Sequence, residues 1–307
     1  MNERAEQAEQ ARATAMRLGR HMPTNSKMIR AAEIAHWLGC NSIQMFASNP
    51  TGWRPPAYDT QEDAVFAATA LALDLQPVVL HAPYLINLAA PDETNWQKSV
   101  ALLTWTMQRA ASLGARYVVC HTGSHRGTGV EVGIARIVQA IGFVLAEAPA
   151  PVILLLENGV GAGNALGHDF IHFTQILALL SASERERVGF CLDTAHLWGA
   201  GHDLRTKAST LAVLQRFDEA VGLSLLKVLH VNDTEVALGS HRDVHARLGE
   251  GVIPSEGLHT LLTDPRLTHV AALLETPIKL NEQGKDDWDS DKQHFERFKL
   301  LASFMTQ

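Results

Sequence analysis

Six short apolar runs along this chain each close on a side chain able to bind a metal ion. They cover residues 77–82, 116–121, 152–157, 188–193, 226–231 and 270–275. The closing side chains are His81, His121, Glu157, Asp193, His230 and Glu275, spaced by 40, 36, 36, 37 and 45 residues. The runs are near-continuous in apolar character rather than alternating, as expected of parallel strands covered on both faces. One strand–helix step takes roughly 30 residues or more, so each interval is about one such step.

The segments between the runs read as helices. Helical patterns cover 27–39, 92–113, 130–146, 169–180, 207–221, 254–262 and 292–304. In the second of these, Trp96, Val100, Leu103, Met107 and Ala110 share one face, and the pattern ends at Gly114. Two weaker strands fit at 16–22 and 42–46, which brings the total to eight. Eight strands alternating with helices predict an α/β fold, a single (β/α)8 TIM barrel; a doubly wound open sheet is the structural alternative. The 307 residues allow two domains by length alone, but a barrel of about 250 residues fits as well, and no linker divides the chain. Residues 1–15, rich in Glu, Gln and Ala, read as an N-terminal extension to a barrel spanning 16–307.

In such a barrel the strand-end side chains converge on the C-terminal face, where active sites sit. Any one of the six has a bland explanation: a lone His is usually a satisfied polar residue, and a strand-end Asp usually caps the next helix. Caps draw on Ser, Thr, Asp and Asn, whereas this set is His, His, Glu, Asp, His, Glu, a mix of borderline and hard metal ligands. His196 lies one turn beyond Asp193, and Asp243-Val-His245 adds two more ligands, both dyads falling in loops that follow ligand-bearing strands. Nine candidates result. One zinc takes about four ligands, so nine with shared carboxylates imply a cluster of two or three ions. The 15 histidines against 26 Lys+Arg are consistent with that use.

Other chemistries are weakly represented. Gly161-Ala-Gly163 with Gly167 lacks the spacing of a dinucleotide loop and fits a tight turn beside the metal site. There is no G-K-[ST] phosphate loop and no G-x-S-x-G elbow, which leaves metal-activated water as the nucleophile. His125, His202 and His241 lie near the ligand motifs, where they would either touch substrate or sit on the surface. Cys40, Cys120 and Cys191 cannot all pair, and Cys120 and Cys191 fall inside strands as core residues. With no apolar leader in residues 1–20 and no apolar run near 18 residues, a soluble cytoplasmic protein is expected. The net charge of −7 argues against coating nucleic acid with a broad basic surface.

The ordered motifs resemble the endonuclease IV family of zinc-dependent apurinic/apyrimidinic endonucleases. They are His81-Ala-Pro-Tyr-Leu-Ile-Asn-Leu88, His121-Thr-Gly-Ser-His-Arg-Gly127, Glu157-Asn, and Cys191-Leu-Asp-Thr-Ala-His196. His230-Val-Asn-Asp233, Gly239-Ser-His-Arg-Asp-Val-His245, Leu248-Gly-Glu-Gly251 and Leu274-Glu-Thr-Pro277 complete the set, which spans nearly the whole chain. The resemblance implies three zinc ions, with manganese as an alternative. His81, His121 and Glu157 would hold the first. Glu157 would bridge to a second held also by Asp193, His230 and Glu275, and His196, Asp243 and His245 would hold the third. It further implies hydrolysis of double-stranded DNA on the 5′ side of an abasic site in base excision repair, by a monomer that needs no membrane. Glu157 and Glu275 would serve catalysis as well as metal binding. Tyr84, Leu85, Asn49 and Trp53 would meet the DNA.

The chain departs from that pattern at three rim positions. Thr51 stands where an arginine is expected, with Arg54 nearby, Glu235 replaces a lysine, and Val244 replaces an arginine. Each change removes a cation from a phosphate-facing rim, and phosphate contacts dominate DNA affinity. Two other readings compete. Sugar isomerases and epimerases share the barrel and strand-end ligands but use fewer of them, so His196 and Asp243-x-His245 discriminate. A damage-binding relative without turnover would fit the missing cations.

Overall fold

A computed structural model describes residues 16–24 and 27–303. The N-terminal extension at 1–15 and the end of the last predicted helix lie outside the described residues. Eight strands form one closed, all-parallel barrel in sequence order. They are β1 (Arg17–Met22), β2 (Ser42–Phe46), β3 (Val78–His81), β4 (Tyr117–His121), β5 (Ile153–Glu157), β6 (Val188–Asp193), β7 (Leu226–His230) and β8 (Ala271–Leu274). The barrel, not the open sheet, is the architecture.

Ten α-helices are described. They are α1 (Met28–Leu38), α2 (Thr60–Ala72), α3 (Glu93–Ser112), α4 (Val130–Glu147), α5 (Phe170–Leu179), α6 (Ala182–Arg185), α7 (Thr194–Gly199), α8 (Lys207–Ala220), α9 (Ser255–Thr263) and α10 (Trp288–Leu301). Local chemistry fixes several of their starts. Asp59, Asp92, Asp169 and Asp287 each accept a backbone N–H in the first turn of the helix they precede. Four helices differ from expectation. The short α6 and α7 lie outside every predicted helical pattern, as does α2. The segment holding α2 shows as an apolar run but not as a helix, because its apolar residues do not share one face: Val65 and Leu71 point to solvent while Phe66 is buried. The last helix begins at Trp288, four residues before the predicted start, where Asp287 caps it.

Strand periodicity aims the ligands. Val79, Val119, Leu155, Cys191, Val228 and Leu273 form a separate buried cluster, and each lies two residues before one of the six strand-end candidates. Residues i and i+2 share a face of a strand. An apolar plug therefore lies below, and six polar side chains face the same interior one step above it. Gly19 on β1 has no room for a side chain, since a Cβ there would lie 2.8 Å from Leu273 Cδ2. Register brings partners side by side: His121 opposite Glu157 and Asp193 opposite His230. Cys120 and Cys191 are buried, as expected of core residues.

Candidate metal centre

All nine candidate ligands come together at the C-terminal mouth of the barrel. Glu157, buried at the end of β5, is the hub. One carboxylate oxygen lies 3.2 Å from His81 Nε2 and 3.0 Å from His121 Nε2; the other lies 2.9 Å from His230 Nδ1. Glu275 reaches to 3.1 Å of the same His230 nitrogen. His196 Nε2 and His245 Nε2 both lie 3.2 Å from Asp243 Oδ1, and His245 Nε2 is 3.7 Å from Asp193 Oδ2. Ligand atoms thus converge in overlapping groups: His81, His121 and Glu157; Glu157, Asp193, His230 and Glu275; Asp193, His196 and His245. The first two share Glu157 and the last two share Asp193.

Hydrogen bonds on the far side of each ring decide which nitrogen faces the centre. His81 Nδ1 donates to the Ala82 carbonyl at 2.7 Å, and His196 Nδ1 donates to the Asn158 carbonyl at 2.9 Å. Each therefore turns an Nε2 lone pair inward. His230 is reversed: its Nε2 donates to Gln44 Oε1 at 2.9 Å, so Nδ1 faces the carboxylates. His196 Nε2 and His245 Nε2 are buried and have no hydrogen-bond partner among the described residues. Two orphaned imidazole nitrogens beside a shared carboxylate oxygen fit a divalent cation between them.

The electrostatics agree. Burial alone would raise Glu157, but His121 and His230 outweigh it and hold the carboxylate well below its usual range. Burial alone would lower His245, but Asp193 and Asp243 push it up to about 9. His196 also rises well above its ordinary value, since Asp193, Asp243 and Glu157 together overcome its burial. A potential that favours protons at these lone pairs favours metal ions in their place. Cys191 lies beside Glu157 and His230, but burial and the nearby carboxylates hold its thiol strongly protonated, and it serves as apolar floor.

Several residues that shape the centre are not among the nine candidates: His21 and Gln44 carry no motif in the sequence, while Asn232 and Asp233 lie within the His230–Asp233 motif. Gln44 on β2 donates to Glu275 Oε1 at 2.6 Å while its oxygen holds His230. His21 on β1 lies 3.5 Å from Glu275 Oε1, and burial keeps its pKa low. Asn232 donates to Asp193 Oδ2 at 2.6 Å and accepts from the Glu275 backbone at 2.9 Å. Asp233 accepts backbone N–H groups from Thr234, Gly249, Gly251 and Ile253, which staples the irregular loop carrying Asp243 and His245. The available signal was position: His21 and Gln44 lie on the two weaker strands, near their C-terminal ends, where the other ligands sit on theirs.

Three placements differ from expectation. His196 lies in helix α7, not a loop, and Asp193 both faces the cluster and caps that helix through the His196 N–H at 2.8 Å. His125 and His202 are neither substrate-facing nor on the surface: both are buried, His125 Nδ1 accepting two loop N–H groups and His202 Nε2 bonding the His168 carbonyl. His241 is exposed. The glycine loop is a tight turn as expected, with Gly161, Gly163 and Gly167 all at positive φ and Gly167 against the Glu157 backbone. Around the mouth, Tyr84 is 57% exposed and packs its ring against those of His81, His121 and Phe46. Leu85 and Trp53 are half-buried, and Asn49 is exposed, its Oδ1 accepting the Thr51 N–H.

This barrel and its ligand ring define a xylose isomerase-like TIM barrel, and the model of that family matches residues 32–298. A probable endonuclease 4 of Halothermothrix orenii is 38% identical over 271 residues, covering 88% of this chain and 96% of that one. Another, of Natranaerobius thermophilus, is 39% identical over 287 residues, covering 94% and 98%. The crystal structure of endonuclease IV from Thermus thermophilus superposes with a TM-score of 0.79 at 36% identity, covering 93% of this chain and 98% of that one. D-Psicose 3-epimerase from Clostridium cellulolyticum shares the fold alone, with a TM-score of 0.67 at 16% identity. Within the wider barrel family, the chain belongs to the endonuclease IV family.

Proposed function

We propose that the protein is a metal-dependent apurinic/apyrimidinic endonuclease of base excision repair. It hydrolyses the phosphodiester 5′ to an abasic site in double-stranded DNA and leaves a 3′-hydroxyl. The observation that carries this reading is the convergence of nine ligands on one barrel mouth, in a chain 38% identical to a probable endonuclease 4. Three zinc ions fit the overlapping groups, the third held by His196, Asp243 and His245; manganese suits the same nitrogen and oxygen donors. When bound, such ions supply an ionised water near neutral pH and neutralise charge on the phosphate and leaving oxygen.

The chain's own residues do the rest. Glu157 would be a ligand in both of the first two groups, and Glu275 faces the cluster where it would orient the attacking oxygen. Gln44, Ala82 and Asn158 fix the rings of His230, His81 and His196 in the tautomers that bind. Tyr84 and Leu85 form a wedge for the base stack, with Asn49 and Trp53 on the adjoining loop. This reading carries with it a soluble, cytoplasmic, monomeric enzyme whose barrel domain spans 16–307, and no described helix is long and apolar enough to cross a membrane.

The test is a duplex with one abasic analogue, end-labelled on the damaged strand. The metal-replete protein should nick it on the 5′ side and leave a 3′-hydroxyl that a polymerase extends. Absence of nicking, with epimerisation of a free ketose instead, would replace this reading with the sugar-epimerase one.

A further inference from the structure

Two cavities open on the metal-binding mouth, and Tyr84 lines both. The smaller, about 440 Å³, has His121, Glu157, His196 and Asp243 among its lining residues, together with Trp53 and Tyr84. The loop after β4 also lines it, and Arg126 on that loop is the one arginine or lysine among the described lining residues.

That loop is rigidly built. His125 Nδ1 accepts the N–H groups of Gly127 at 3.2 Å and Gly129 at 3.0 Å, and Thr128 Oγ1 donates to the His125 carbonyl at 2.8 Å. The His125 N–H reaches the Asn164 carbonyl at 3.1 Å, and Asn87 grips Ser124 from the other side through both its N–H and its carbonyl. On this frame Arg126 is held at φ +46°, in the left-handed region that glycine adopts without strain. Its neighbours Gly127 and Gly129 lie at positive φ too. The Arg126 side chain is exposed, and its guanidinium makes no hydrogen bond or ion pair with any described residue. A strained backbone that presents an unpartnered cation beside a reaction centre is the pattern of a binding residue.

We propose that Arg126 binds a phosphodiester of the DNA strand lying in this cavity, a contact separate from the phosphate held by the metal ions. The inference rests on the DNA-hydrolase reading above. Aromatic rings take sugars and bases, the ligand cluster is committed to its ions and the phosphate they hold, and a planar guanidinium matches a further phosphate in a bidentate fashion. Arg126 therefore sets substrate affinity and salt sensitivity while leaving the chemical step to the metal centre.

Arg126→Gly gives the cleanest test, because glycine suits the local backbone and removes only the side chain. Incision of an abasic duplex is measured by steady-state kinetics across a salt series. The expected result is a KM raised roughly five- to tenfold with kcat retained. The plot of log(kcat/KM) against log salt should become shallower by about 0.9, the signature of one lost phosphate contact. Arg126→Lys keeps the charge and loses the fork, so it should restore the salt slope and recover only part of the KM. An unchanged KM and salt slope in Arg126→Gly, beside an active wild type, would overturn this assignment and leave the proposed function standing. So would Arg126→Lys behaving like Arg126→Gly. A wild type that neither binds nor nicks the duplex would overturn both.

Discussion

At the scale of single residues, the centre depends on side chains that touch no substrate. Gln44 is the clearest, since one amide fixes the His230 tautomer and anchors Glu275. Partners of metal ligands typically carry about 10- to 100-fold in metal affinity or activity. Gln44→Leu should therefore lower metal affinity by about that factor while leaving the fold intact, as followed by titration against a chelating indicator. Equal affinity in the variant would mean that His230 keeps its orientation without help. Gln44 also marks a limit of sequence reading. A glutamine on a weak strand carries no ligand signature, and its role exists only because barrel closure brings β2 across from β7 and β8. The six strand-end ligands were legible because each sits two residues past an apolar plug position in a strongly apolar run.

Among the elements, α10 is tied to the mouth by charges buried far from water. Asp291 on α10 pairs with Arg20 of β1 and lies 3.6 Å from Arg247, two residues past His245. Arg20 also donates to the carbonyl of Thr276, next to Glu275, at 3.1 Å. Burial raises the Asp291 pKa even against these arginines, so the network adds little net stability relative to an apolar core. Breaking it is another matter, because two buried guanidinium groups would lose their shared carboxylate. Asp291→Ala should cost about 3–5 kcal/mol in denaturant unfolding; a cost below about 1 kcal/mol would show that the arginines find other partners. This network is also why β1 read as a weak strand: Arg17 and Arg20 interrupt its apolar pattern, and the acid that accommodates Arg20 lies 271 residues away.

The same helix carries a pH dependence. Burial first, then the cations Arg247, Arg20 and Arg297, lower His294 to about 3. The unfolded chain takes up a proton near pH 6.5 that the folded state refuses until about pH 3. Stability from this group is therefore complete above pH 6.5 and is lost progressively as pH falls toward 3. His294→Gln cannot protonate and should flatten the fall in unfolding free energy between about pH 6.5 and 4. An unchanged slope would assign the acid sensitivity to other groups, such as His21, His172 and His202, whose values burial also lowers.

For the whole molecule, charge, fold and chemistry meet at the barrel mouth. The formal charge of −7 includes the four ligand carboxylates Glu157, Asp193, Asp243 and Glu275. Three divalent ions would bring −7 + 6 to −1. An acidic chain can thus act on a polyanion when its positive charge is carried by ions at the reaction centre, with Arg126 supplying a cation at the rim. The barrel was legible from the rhythm of strands and ligands, whereas helix α2 was not, because its apolar residues face both core and solvent. The most direct test of this account counts ions by mass spectrometry in samples whose incision of abasic duplex is followed in parallel. The account predicts about three zinc ions per chain, loss of nicking on chelation and its return as the ions are restored. One ion per chain, or nicking that survives complete removal of metal, would contradict it.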